Sequence, residues 1–144
     1  MFNTLKKLIK NEKGLSLVEL LAVIVILAIV AAIAIPAIGN IIENSRIKAA
    51  KADAISYINA ANIYYSDGNK VEFSSTATGN DKTKIDSYIG SKGTITEFKI
   101  TKDMKFTGKA TKSGVNLVFT DATIETINAE SSDLDGTAVK KGGS

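Results

Sequence analysis

Lys13-Gly14-Leu15-Ser16-Leu17-Val18-Glu19-Leu20 introduces an apolar run that reaches Ile42, and in the 28 residues from 15 to 42 the only charged side chain is Glu19. Roughly 20 apolar residues in helical form cross a bilayer core, so this run is long enough to live in lipid. A carboxylate at mid-membrane costs about 2.5 to 3.5 kcal/mol on insertion scales, and less near an end. Glu19 is therefore a candidate functional group that needs a partner.

The rest of the chain bounds what that partner is. Of the 144 residues, 102 follow Ile42, which is enough for one modest domain. Four lysines, Lys6, Lys7, Lys10 and Lys13, against Glu12 give residues 1–14 the whole net charge of +3. The remainder is neutral and lacks the basic excess of a nucleic-acid binder, so no nucleic-acid partner is expected. With no cysteine, neither disulfides nor thiolate metal sites can brace the domain. With no histidine either, no Ser-His or Cys-His pair can be written, and an enzyme is not expected. Asp133 and Asp135 before Gly136 lack the third carboxylate and later Glu of a calcium loop, so no metal or cofactor is expected.

Residues 1–14 form a short basic leader whose lysines favour the cytoplasmic side, giving an N-in, C-out topology. Residues 15–42 read as the apolar half of a long helix. Pro36 cannot donate to the Ala32 carbonyl and Gly39 adds backbone freedom, which predicts a kink or a locally melted turn. Over residues 43–66 the pattern becomes amphipathic, with Ile47, Ala50, Ala54, Ile58, Ala61 and Tyr65 at three- or four-residue steps. Ser66-Asp67-Gly68-Asn69 supplies the stop, Gly68 suiting a left-handed C-terminal cap.

The globular domain, residues 43–144, continues after that helix with a polar loop over 67–92 that holds a possible short helix at 81–89. Residues 93–129 then read as an antiparallel sheet, with strand candidates at about 94–101, 104–111, 115–120 and 123–128, and a Gly-containing turn at Lys112-Ser113-Gly114. Residues 130–144 read as a flexible tail. The expected fold is α+β: a long N-terminal α-helix, half apolar and half amphipathic, packed on a small antiparallel β-sheet. Tyr57, Tyr64 and Tyr65 fit core or groove positions at helical spacing. Lysines 99, 102, 105, 109 and 112, mixed with Glu97 and Asp103, fit a solvated sheet face.

The basic leader ending in Gly14, the run Leu15-Ser16-Leu17-Val18-Glu19-Leu20, the apolar stretch and Pro36 together resemble the N-terminus of a type IV prepilin, and the order of long helix, loop and antiparallel sheet extends the likeness. The resemblance implies cleavage between Gly14 and Leu15 by a prepilin peptidase, methylation of the new Leu15 amine, and pairing of Glu19 with Leu15 of a neighbouring subunit. It further implies that the stretch from about Ala28 to Pro36 loses helical order during polymerisation. The implied product is a homo-oligomeric helical filament on the cell surface, for adhesion or twitching motility. Its subunits wait in the bacterial cytoplasmic membrane and are extruded by a platform protein and an assembly ATPase. Leu15 where many pilins have Phe, and the missing C-terminal cysteine pair, depart from the family pattern.

Two other readings stand beside the pilin. A pseudopilin of a type II secretion or DNA-uptake machine shares the same processing motif. In a different class, Ala32-Ile33-Ala34 offers an A-x-A-like signal-peptidase site, which would make the chain a small secreted binding protein, or a membrane-anchored one if left uncut.

Overall fold

A computed structural model of the chain describes residues 16–129 and 138–142. It is an α+β structure in which a long N-terminal helix, α1 (Leu17–Ser66), packs on a five-stranded antiparallel sheet. The strands are β1 (Phe73–Ser74), β2 (Ile95–Ile100), β3 (Phe106–Lys112), β4 (Val115–Ala122) and β5 (Val139–Lys141), and they lie in the order β1-β2-β3-β4-β5. Two short helices join them: α2 (Gly79–Tyr88) between β1 and β2, and α3 (Ile124–Ala129) between β4 and β5. The chain divides into two compact units, Met1–Ile41 and Ile42–Ser144.

In the second unit the amphipathic pattern of α1 becomes a core. Ile47, Ala50, Ala54, Ile58 and Ala61 are buried, as are Tyr57, Ala60 and Tyr64, while Tyr65 is half-buried. They meet the inward side chains of the sheet, among them Phe73, Ile100, Phe106, Leu117 and Phe119. Small residues at 50, 54, 60 and 61 let the helix backbone approach the sheet, and aromatics fill the ends. The Tyr64 ring makes edge contacts with Tyr65, Phe73 and Tyr88 at centroid separations of 5.4, 5.3 and 5.4 Å. Such edge-to-face pairs add about 0.5–1.5 kcal/mol each beyond area burial.

Two tyrosine hydroxyls of α1 bond backbone groups outside the helix. Tyr65 Oη donates to the Ile100 carbonyl at 2.6 Å and accepts the Phe73 amide at 2.9 Å, tying helix, β1 and β2 at one point. Tyr57 Oη donates to the Lys92 carbonyl at 3.2 Å. Asp53 reaches the start of β2, where its Oδ2 accepts both the amide and the hydroxyl of Thr94 at 2.7 Å. That approach demands glycine at 93: its φ is +53°, and a Cβ there would lie 2.4 Å from Asp53 Oδ2.

Gly68 has the left-handed φ, +83°, expected of the helix stop, and its amide bonds the Tyr65 carbonyl at 3.1 Å. The turn at residues 113–114 pairs Lys112 with Val115, both turn residues having positive φ, 47° for Ser113 and 86° for Gly114. This is the two-residue hairpin whose twist matches its strands.

Three expectations change. The strand expected at 123–128 is instead helix α3, Ile124–Ala129, because Thr123 caps it: its Oγ1 accepts the Thr126 amide at 3.3 Å, and Ile127 is buried three residues after half-buried Ile124. The expected flexible tail over 130–144 contains β5, in which Val139 is buried and pairs with Phe119. Lys141 adds an ion pair to Glu43, while residues 130–137 and 143–144 lie outside the described residues. β1, expected as loop, is held although only two residues long, because serines extend its pairing: the Phe98 carbonyl accepts from the Ser75 amide and from the hydroxyls of Ser74 and Ser75.

Gly93→Ala should destabilise the domain by about 1–3 kcal/mol, through the left-handed backbone and the collision with Asp53. Denaturant titration of the full chain in detergent, followed by near-ultraviolet circular dichroism, measures this. Alkaline stability is a second check. Burial raises the hydroxyl pKa of Tyr57, Tyr64 and Tyr65 above the ordinary 10.0. The folded state therefore favours the neutral phenols: their contribution is complete below pH 10.0 and falls as pH rises through the folded-state values. The same titration repeated across that range should show stability falling only on the alkaline side.

Candidate functional site

α1 begins with a reciprocal pair of hydrogen bonds. The Ser16 amide donates to Glu19 Oε2 at 2.8 Å, and the Glu19 amide donates to Ser16 Oγ at 3.2 Å. The Ser16 carbonyl accepts the first helical bond, from the Leu20 amide at 3.0 Å. Ser16 is thus the N-cap and Glu19 the third helical residue of a capping box, which satisfies two of the amides that a helix start leaves without partners. The carboxylate also sits at the positive end of the helix dipole. Reading Glu19 as a lone charge overlooked this arrangement, although the Ser-x-x-Glu spacing ahead of an apolar run signals it.

C-terminal to the box the described surface is apolar. From 17 to 42 every residue is exposed except Ala34, which is half-buried, and Leu17 and Val18 beside the carboxylate are 84% and 71% exposed. The described polar contacts of the Glu19 carboxylate engage Oε2 alone. Gly14 and Leu15, the expected cleavage and methylation positions, lie outside the described residues.

The helix runs unbroken through Pro36 and Gly39, so the locally melted turn expected there is not present in this state. Proline removes one amide, and the intact bonds on either side carry the helix past it. At Gly39 a Cβ would meet nothing within 4 Å, so the glycine serves no close packing within the chain.

The remaining candidates are structural. Lysines 99, 102, 105, 109 and 112 are all exposed, and two of them pair across strands, Lys99 with Glu72 and Lys109 with Glu97, each at 3.1 Å. A shallow groove of about 510 Å³ lies among these residues, with Phe98, Gly108 and Val118 in its lining. Asp133 and Asp135 lie outside the described residues.

Residues 9–35 match the family model described as the prokaryotic N-terminal methylation motif. Neither the comparison with curated proteins nor that with solved structures gives a match. The matched stretch takes in the basic end of the leader, Gly14 and Leu15, the capping box and the apolar helix as far as the residue before Pro36. The motif implies processing by a prepilin peptidase and assembly into filaments, and it points to a structural protein rather than an enzyme. At the head of a long apolar helix the chain carries the motif that marks type IV prepilin-like proteins, pilins and pseudopilins alike.

Proposed function

We propose that the chain is the structural subunit of a type IV pilus, which polymerises through α1 into a surface filament for adhesion or motility. The methylation motif over residues 9–35, joined to an apolar stretch, residues 15–42, in which Glu19 is the only charge, carries this reading. A prepilin peptidase cuts between Gly14 and Leu15 on the cytoplasmic face, and the new Leu15 amine is methylated. Methylation leaves that amine protonated. Before assembly the apolar half of α1 rests in the cytoplasmic membrane, N-in and C-out. In the filament, copies of the same helix cover the surface that lipid covered before.

Glu19 sets the height of each subunit. An ammonium and a carboxylate about 4 Å apart attract by roughly 4 kcal/mol at an effective dielectric of 20, most of which is offset by desolvation. A subunit docked at the wrong height leaves both charges unpaired in apolar surroundings, at a cost of several kcal/mol. The pair therefore selects register more than it adds net stability. Identical subunits meeting through two different surfaces extend without limit when the rotation does not close a ring, and this yields a fibre. The bond missing at Pro36 and the flexible Gly39 mark where the helix gives way during polymerisation. Extrusion draws on a separate platform protein and ATPase, since the chain contains no G-x-x-x-x-G-K-[ST] phosphate loop.

N-terminal sequencing and mass spectrometry of the mature protein should give N-methyl-Leu15, whereas a start at Ile35 would mean ordinary secretion. Sheared surface material imaged by electron microscopy should contain long fibres made mainly of this chain; scarce short fibres would favour the pseudopilin role. Glu19→Gln should leave precursor cleavage unchanged and lower filament yield by about tenfold or more, the effect of losing at least ~1.4 kcal/mol of registry energy.

A further inference from the structure

Among the described residues the Glu19 carboxylate is held by Ser16, which has no role in the assembly scheme above. We propose that Ser16 is a positioning residue for subunit registry: through the capping box it holds the Glu19 carboxylate in place, with Oε2 on its own backbone and Oε1 left for the ammonium of an adjoining copy. This inference rests on the pilin reading and adds a second residue to its contact.

The two bonds of the box are mutually dependent. With Ser16 Oγ accepting the Glu19 amide at 3.2 Å, the first turn is fixed and the Ser16 amide stays 2.8 Å from Oε2. Without the hydroxyl the Glu19 amide loses its acceptor, the first turn frays, and the side chain regains rotamers that a docking neighbour must freeze again. Leu17, Val18, Leu20 and Leu21 flank the carboxylate in sequence and offer no side-chain donor, so none of these four replaces the box. A carboxylate fixed before its partner arrives needs less ordering on contact, which is how a supporting shell sharpens a charged recognition site. Among the described residues the one bond to the carboxylate is at Oε2, and a carboxylate accepts through both oxygens.

The test compares Ser16→Thr, Ser16→Val and Ser16→Ala with wild type and Glu19→Gln, each as the full chain in the native host. Three quantities are measured: precursor cleavage, the membrane level of processed subunit, and pulse-labelled incorporation into sheared filaments per processed subunit. Thr keeps the capping hydroxyl, and Val has nearly the same shape without it. Expected are normal cleavage throughout, incorporation of Ser16→Val and Ser16→Ala lowered about fivefold or more, and Ser16→Thr within about twofold of wild type. Wild-type incorporation of Ser16→Val and Ser16→Ala would overturn the proposal, as would a Ser16→Thr no better than Ser16→Val. Loss of cleavage in both Ser16→Val and Ser16→Ala would also overturn it, by placing Ser16 in peptidase recognition instead. Glu19→Gln separates the two layers: if it assembles normally the registry reading itself fails, and if it alone is defective only the role of Ser16 fails.

Discussion

One carboxylate in an apolar helix constrains everything else in this chain. Glu19 is tolerable because it lies at the start of α1, where free amides and the helix dipole favour negative charge, and because Ser16 completes a capping box with it. Moved two turns inward, the same group would have no amide to accept from and would face hydrocarbon on every side. Its place near the end is thus a physical requirement, and it also brings the charge next to the amine that cleavage after Gly14 would create.

The second unit solves a different problem, which is to fold with neither cysteine nor histidine. It does so by laying the small and aromatic face of α1 on the sheet and placing polar ties where strands meet helix. Tyr65 joins three elements with one hydroxyl, and Asp53 caps the entry to β2 through Thr94. The cost is intolerance at Gly93, where Asp53 occupies the space of any side chain. Arg46 donates to the Ser113 carbonyl at 2.8 Å, and Glu43 pairs with Lys141, so the first turns of α1 in this unit hold both the β3–β4 hairpin and the last strand.

Much of this was legible from residue order because the strongest signals are periodic. The steps from Ile47 to Ala61 marked the buried face of α1, and the positive-φ turn at 113–114 followed from Ser-Gly between two alternating runs. What escaped was held by tertiary or side-chain bonds rather than by pattern. β1 is too short to alternate and depends on Ser74 and Ser75. β5 pairs by virtue of β4, and the segment before it carries few apolar residues. α3 contains β-branched residues that suit a strand, yet the Thr123–Thr126 cap turned it into helix. At the candidate site the charge was evident and its cap was not, since a Ser-x-x-Glu spacing of four residues is a far weaker signal than the long hydrophobic run it borders.

Every strand of the sheet pairs with the strand next to it in sequence, with α2 and α3 spliced into two of the connections. A sheet wired this way has no need to wait for a distant partner. If the domain crosses the membrane as the proposed N-in, C-out topology requires, each strand would find its neighbour already outside, and closure would proceed vectorially, one hairpin at a time, with the helix still lodged in the bilayer. Low sequence separation between partners also shortens the interval during which bare strand edges of many anchored copies could cross-pair on a crowded membrane.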